Sequence, residues 1–538
     1  MISLGIGDRK SWSDALKAQC YNNDTAYAGA SHRRKQLSNW IPRLAPADAD
    51  LLPELGDLVA RSRDLDRNNG VAAGSFQALQ DNVVGIGLRL AATPDYRALG
   101  KDITWAEEWS RDVESQWKTW AESCAADAAY RQNFNGLTQL VFRSALQNGE
   151  ALALPLWMER TNTTWRTCLQ LIDTDRLSNP GTSPVPTRNL RGGIQIDDYG
   201  KPLAYYIQDQ PKDYGLLARG IGLASSAGTW TRVPAETEWG RKRVIHIFEQ
   251  TRVDQSRGAP ILAPVIEQFR MLDAYQRTEL QSAIVNAIVA GVIETPMDPA
   301  ALAELIGTDP NKYLTGKNDY RVQLEGGSLV PLYPGDKLTP YTPSRPVGTF
   351  PAFVETILRQ IGGALGLPYE LVVKDFSKSN YSSARAALLE AWRFFINRRV
   401  WLATYWCQPV YELWLEEAVS SGQVEADFSY ETRAYYCRAK WIGPGRGWID
   451  PVKEAQAAQI RIENYVSTLE VECAEQGLDW NEVLEQRALE RERMKELDLL
   501  PATPQPAAAA AAPDTTPSDG GDGSGQEDQV PPAQEKAA

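Results

Sequence analysis

The spacing of apolar residues changes character more than once along the chain. Through "LLPELGDLVARSRDL" and "FQALQDNVVG", within residues 51–90, leucines and valines recur every three or four positions, the repeat of an amphipathic helix. Residues 105–148 continue that pattern and concentrate Trp105, Trp109, Trp117 and Trp120. A period of two then takes over. "EALALPLWM" and "TCLQLID" read as paired strands, and "GIQIDDYGKPLAYYIQD" as a hairpin turning at Asp198-Tyr199-Gly200. "RVIHIFE" (243–249) reads as a further buried strand.

From Gly258 the helical repeat returns. Ile261, Val265, Phe269, Leu272, Leu280, Ile284 and Ile288 share one stripe, opened by Pro260 and closed near Pro296. About 30 residues at 1.5 Å each make a rod of roughly 45 Å. A loop-rich stretch with Gly and Pro follows to residue 341. A second helix is predicted over about 347–366, with Phe350, Phe353, Ile357, Ile361 and Leu365 on its face. Gly362, Gly363 and Gly366 weaken its end, and Pro368 stops it. A third helix carries Leu388, Trp392, Phe395, Leu402, Trp406 and Leu413, with Ser382 or Ser383 as N-cap and a kink at Pro409. Between these two helices lies "LVVKDFSKSNYSSAR" (371–385), a polar, flexible and chemically plain interruption. Residues 450–500 read as helical, and the alternating Glu and Arg of "EQRALERERMKE" mark a solvated face with i,i+4 pairs. The fold class is α+β, mostly helical.

At 538 residues the chain exceeds a single compact core and is expected to split into two to four domains. Its 17 Trp and 21 Tyr are large side chains to bury or to place at subunit contacts. Residues 1–45 hold seven bases and three acids among Gly, Ser and Asn, a loosely ordered basic arm. Residues 501–538, made of Ala, Pro, Gly and acids, bury too little to fold and are expected to be disordered. The net charge is −13. An acidic body argues against a firm grip on nucleic acid, because neutralised phosphates supply most of that affinity. A surface that repels phosphate would instead let a duplex slide past. The six cysteines (Cys20, Cys124, Cys168, Cys407, Cys437, Cys473) are scattered with no CxxC pair, which points to a reducing compartment without a disulfide framework. "MISLGIGDRKSWSD" lacks the apolar core of a signal peptide, and "AIVNAIVAGVI" (283–293) is too short to span a bilayer. The chain reads as soluble and intracellular, with no membrane partner.

Signs of catalysis are weak. The phosphate-cradling GxxxxGK[ST] and the metal-binding HExxH do not occur, and Gly85-Ile86-Gly87 lacks the third glycine and the preceding strand of a dinucleotide fingerprint. His246, in an apolar strand, reads as a hydrogen-bonded core residue. Asp173-Thr174-Asp175 ends a strand where a carboxylate pair could act, but turn formation explains it more simply. Adjacency of Ser377 and Lys378 does not make a nucleophile and base. The glycines of "WIGPGRG" (441–447) read as a helix-entry loop, with backbone anion binding the alternative. No catalytic residue, metal site or cofactor is expected.

The ordered series of segments nevertheless resembles one family, the portal proteins of tailed bacteriophages of the lambda-like type. The resemblance is carried by "RDLDRNNGVAAGSFQALQDNVVGIGLRL" (63–90), "LIDTDRLSNP" (171–180), "GIQIDDYGKPLAYYI" (193–207), "VIHIFEQTRVDQSRGAPILAPVIEQFRMLDAYQRTELQSAIV" (244–285), "ALGLPYELVVKDFSKSNYSSARAALLEAWRFFINRR" (364–399) and "WIGPGRGWIDPVKEAQAA" (441–458). It spans about 25 to 495. It implies an N-terminal arm (1–50), a wing that is helical and then β (51–258), a first stem helix (259–292), a clip (293–341) and a second stem helix (342–368). A tunnel loop (369–383), a long helix returning to the wing (384–449), a helical crown (450–500) and the tail (501–538) complete it. It further implies a dodecameric ring at one capsid vertex, through which double-stranded DNA is packaged and later ejected. The implied partners are other copies of the chain, the passing DNA, the terminase large subunit, the major capsid protein and scaffold, and head-completion or connector proteins. The implied location is the virion, with the host cytoplasm during assembly. Lys374, Asp375, Lys378, Ser379 and Asn380 would lie nearest the DNA. The competing readings are a metal-dependent DNA-processing enzyme gathering Asp173, Asp175 and Asp254, and a monomeric adaptor. The ring is favoured because a single chain offers nothing large enough to cover two long apolar stripes.

Overall fold

The computed structural model describes residues 27–32, 34–181, 189–209, 229–288, 291–294, 337–340, 350–377, 381–447 and 450–499. Most of the basic arm, most of 293–341, the C-terminal tail and Lys378, Ser379 and Asn380 lie outside the described residues. The chain forms two compact units, one running to Asp479 and one from Trp480.

Helices α1 (Leu55–Asn68), α2 (Gly70–Val83), α3 (Ile103–Glu122) and α4 (Phe134–Asn148) open the first unit. Their boundaries follow from capping side chains. Asn69 ends α1 and starts α2, its Oδ1 accepting the backbone N–H groups of Val71 and Ala72 at 3.0 and 3.1 Å. Asp102 and Asn133 cap α3 and α4 in the same way. The apolar stripe of α3 buries Trp109, Val113, Trp117 and Trp120. Trp117 sits at the centre of an aromatic cluster, its ring 4.9 Å from Trp120, 5.1 Å from Phe134 and 5.2 Å from Trp414. Each such pair adds about 0.5–1.5 kcal/mol beyond the area it buries.

The strands are β1 (Arg89–Ala92), β2 (Glu150–Trp157), β3 (Thr167–Ile172), β4 (Leu190–Arg191), β5 (Ile194–Ile196), β6 (Pro202–Gln208), β7 (Trp230–Pro234) and β8 (Ile245–Phe248). β2 pairs antiparallel with β3 on one side, from Leu152↔Ile172 to Trp157↔Thr167, and with β8 on the other. β4 to β7 form a meander, and the β5–β6 turn closes on Asp197, whose Oδ1 accepts the N–H groups of Tyr199 and Lys201 at 2.8 Å each. Leu152, Ile194, Tyr205 and Ile207 belong to a small second core at these sheets.

The first long helix, α5 (Ile266–Ile288), is shorter than its apolar stripe suggests. Ile261 belongs to the stripe, but its N–H donates to the Leu146 carbonyl at the end of α4, so the chain is tied there before the helix begins. A strand, β9 (Gly291–Glu294), follows instead of further helix, and pairs antiparallel with β10 (Lys337–Pro340) from Glu294↔Lys337 to Gly291↔Pro340. The next helix, α6, covers Phe350–Leu365, and a short helix, α7, covers Tyr369–Val373.

α8 runs from Tyr381 to Leu402, which places Ser382 and Ser383 inside its first turn rather than at its cap. The bend expected at Pro409 takes the form of a π segment over Ala403–Cys407, followed by α9 (Gln408–Ser420). Proline cannot donate to the carbonyl four residues back and crowds it; the wider π turn relieves that clash at Tyr405. The helix does not extend through 449. After Ser420 the chain makes a short helix at Arg433–Tyr436 and a strand, β11 (Ala439–Ile442), which pairs with β1. α10 (Pro451–Glu463) and α11 (Leu469–Glu475) complete this unit. The second unit contains α12 (Trp480–Glu496), with no buried side chain, a Gln486–Glu490 hydrogen bond at i,i+4 and an Arg493–Glu496 ion pair at i,i+3.

The approach to α5 depends on two glycines. Gly149 ends α4 at φ 88°, and a Cβ placed on Gly258 would lie 2.0 Å from the Gly149 oxygen. Gly258→Ala is therefore expected to cost about 3 kcal/mol through overpacking against backbone, read as a lower urea midpoint at unchanged slope.

Candidate functional site

The interruption between α6 and α8 is more ordered than its composition suggests. Leu365, Leu367 and Val372 are buried in the main core, so α7 is pinned at both ends. The Leu367 N–H donates to the Gly362 carbonyl at 2.9 Å, and a Cβ on Gly362 would meet the Leu367 oxygen at 2.5 Å. Gly362 thus permits the reversal and does more than weaken the helix. Arg359 bonds Glu355 at 2.8 Å and lies over the Tyr369 ring, 5.0 Å from its centroid. Of the segment read as a loop over 369–383, Tyr369–Val373 is the short helix α7, residues 374–377 form a turn and 381–383 open α8. Lys374 takes the left-handed conformation, φ 57° and ψ 35°, which ends α7. Asp375 Oδ1 accepts the Ser377 N–H at 2.9 Å. Lys374 and Ser377 are exposed, as are Val373 and Phe376. Of the five residues expected near DNA, Lys374 and Asp375 sit together on this turn; Lys378, Ser379 and Asn380 lie outside the described residues.

The stripe of α5 divides into two parts. Val265, Phe269 and Leu272 are core, whereas Leu280 is 64% and Ile284 51% exposed. Phe353 on α6 is likewise exposed, and its ring meets that of Tyr275 with centroids 5.1 Å apart. The proximal half of the rod is held by its own chain, and its distal half presents apolar surface to the outside.

The residues weighed for catalysis hold structure instead. Asp173 caps the turn Thr174–Arg176, and Arg63 bridges Asp173 at 2.9 Å and Asp175 at 2.6 Å. Asp254 joins neither of them in a ligand set: among the described residues, no group of three or more His, Cys, Asp or Glu side chains could hold a metal ion. Gly85 and Gly87 form the turn after α2, with the Gly85 N–H donating to Gln80 at 3.0 Å. Of the glycines of 441–447, Gly443 packs against a cation. Arg399 donates to the carbonyls of Asn82 (3.0 Å), Val83 (3.2 Å) and Pro444 (2.9 Å), and a Cβ on Gly443 would strike its guanidinium. Burial lowers the Arg399 pKa to about 10.

One buried constellation is missing from the sequence reading. Glu150, at the start of β2, receives the Nε of Arg257 at 2.8 Å on each oxygen, a further bond from Nη2, and His246 Nε2 at 3.0 Å. Arg257 also donates to the carbonyls of Leu177 and Gly192 at 2.7 Å and of Thr174 at 3.1 Å. Burial alone would raise the Glu150 carboxyl, but the Arg257 charge and the His246 hydrogen bond outweigh it and hold it down at about 2. An arginine nine positions before α5 was the available signal; its partner lies 107 residues away.

Residues 33–399 match the family model described as phage portal protein, lambda family, and the chain belongs to that family. It is 36% identical over 496 residues to the portal protein of Escherichia phage N15, covering 89% of this chain and 91% of that one. It is 34% identical over 505 residues to portal protein B of Escherichia phage lambda, covering 90% and 92%. Among solved structures it is similar to a chain in the neck of a native gene transfer agent particle computed with C12 symmetry, at 15% identity and a TM-score of 0.38, covering 76% of this chain and 96% of that one. The protein is a phage portal protein, a structural capsid component rather than an enzyme. No described helix is long and apolar enough to cross a membrane.

Proposed function

We propose that twelve copies of this chain close into a ring whose channel passes double-stranded DNA inward during packaging and outward at ejection. In this reading α5 and α6 are the stem, the β9–β10 pair begins the clip, residues 51–258 form the wing, and α10 to α12 form the crown. The clip meets the terminase large subunit and later the head-completion proteins, and the capsid protein and scaffold surround the wing. The observation that carries the proposal is the exposed distal stripe of α5, Leu280 and Ile284, an apolar surface that an identical neighbour would cover. Negative-stain imaging of the purified chain tests it: a closed ring with a central hole is expected, and particles that stay single at high concentration would refute it.

Twelve copies at −13 each carry −156, a mostly repulsive wall for a duplex with one charge per about 1.7 Å. In the sequence Lys374 and Lys378 alternate with Asp375, giving brief attraction without a trap. Lys374→Ala combined with Lys378→Ala is expected to lower DNA retention in filled heads by about threefold and to flatten its salt dependence, because fewer phosphate contacts release fewer counterions. Packaging, retention and ejection all equal to wild type would rule the turn out as a DNA contact.

A further inference from the structure

A pocket of about 220 Å³ lies between β8 and the β4–β7 meander, with residues 253–256 forming part of its wall. Ile194, Ile196 and Phe248 give it apolar sides, and the exposed Tyr199 and Val253 stand at its mouth. The wall at 253–256 is tied down. Ser256 donates its N–H and its hydroxyl to Asp48 at 2.8 and 2.7 Å, and Gln255 Nε2 donates to the Arg257 carbonyl at 2.8 Å. The cavity is therefore formed before anything enters it.

Two of its polar side chains are themselves buried: the His246 side chain is 2% exposed and Tyr205 5%. Glu150 is ionised and can only accept, so His246 Nε2 carries the proton at their 3.0 Å contact. Nδ1 of the uncharged imidazole is then an acceptor. Among the described residues neither Nδ1 nor the Tyr205 hydroxyl has a hydrogen-bond partner. Burial, with the Glu150 and Glu236 charges behind it, pushes the Tyr205 hydroxyl well above its ordinary pKa, so its oxygen keeps its proton. Charge at the pocket does not balance. Glu150 is paired with Arg257, and Asp48 with Arg191 at 3.6 Å, but the Asp254 carboxylate meets no cation among the described residues.

We propose that this pocket binds a primary ammonium group on a short alkyl chain. An ammonium has three N–H donors and no acceptor, which suits His246 Nδ1, the Tyr205 oxygen and the Asp254 carboxylate. Its charge offsets that of Asp254, the Tyr205 and Phe248 rings attract it through their faces, and its methylenes lie along Ile194 and Ile196. A free amine and a lysine side chain both carry this group. The site stands apart from the ring reading above.

Calorimetric titration of the full-length protein with butylamine, at about pH 8 and fixed ionic strength, tests it. One saturable site per chain is expected, and 1-butanol and tetramethylammonium, which lack the ammonium N–H donors, should give none. Asp254→Asn keeps a residue suited to its left-handed backbone at φ 63°, and Tyr205→Phe removes one oxygen. Each should weaken binding by about tenfold. Tighter binding of Nα-acetyl-lysine methylamide than of 1,4-diaminobutane would support the site with lysine as its source, and the reverse order would support it with a free amine. Heat that does not saturate, an equal response to tetramethylammonium, or unchanged affinity in either folded variant would overturn the proposal.

Discussion

Arg257→Leu is expected to lower the stability of the larger unit by about 3–5 kcal/mol, or to prevent recovery of folded protein, because it strands a charge where water cannot reach it. Glu150 is 1% exposed and Arg257 5%, so the carboxylate left behind can neither hydrate nor move to the surface. The carbonyls of Leu177, Gly192 and Thr174 lose their donor at the same time. The same tie predicts an acid dependence. With its folded pKa held near 2 against an ordinary 4.5, the Glu150 carboxylate adds stability above about pH 4.5, and that stability drains away as pH falls toward 2. The contribution is roughly 3 kcal/mol. Urea midpoints measured from pH 7 down to pH 3 should therefore decline in wild type and decline less in Glu150→Gln. An Arg257→Leu protein within about 1 kcal/mol of wild type would show that the buried pair is not what secures the approach to α5.

That tie also marks where sequence reasoning stopped. Periodicity places helix in 51–90 and 105–148, where α1 to α4 lie, and finds the β2–β3 pair and the β5–β6 hairpin; it does not divide the helical spans at their caps Asn69, Asp102 and Asn133, and it runs the first of them over β1. It overran the start of α5 because Ile261 fits the helical stripe while its N–H is spent on Leu146, a tertiary bond no local pattern records. It missed α7, whose five residues are too few to display a period, and so read an anchored turn as a flexible loop. Pro409 signalled a break but not a π segment. The Glu150–Arg257 pair spans 107 positions and leaves no local trace. The candidate DNA-facing turn was legible in position, through Pro368 and the polar run after it. The left-handed Lys374 and the Asp375 turn bond are properties of the backbone that only the fold displays.

Leu280→Asp combined with Ile284→Asp is expected to abolish ring formation while leaving the single chain folded. The two residues are one helical turn apart on α5 and face outward in the isolated subunit, so acids there meet water and cost the monomer about 1–1.5 kcal/mol, including their mutual repulsion. In a ring the same positions would be covered. Each substitution then forfeits the ~1.5–3 kcal/mol of an apolar side chain removed from water and adds the cost of desolvating a carboxylate without a partner. A loss of only ~3 kcal/mol at one contact weakens that contact more than a hundredfold, and a closed ring repeats the loss at every contact. Native mass measurement should find monomers that still unfold in one cooperative urea transition. Arg270→Ala, on an exposed part of the same helix, should keep its rings. Rings that persist in the double aspartate variant would mean that α5 meets something other than its neighbour, and the channel wall would have to be sought on another face of the chain.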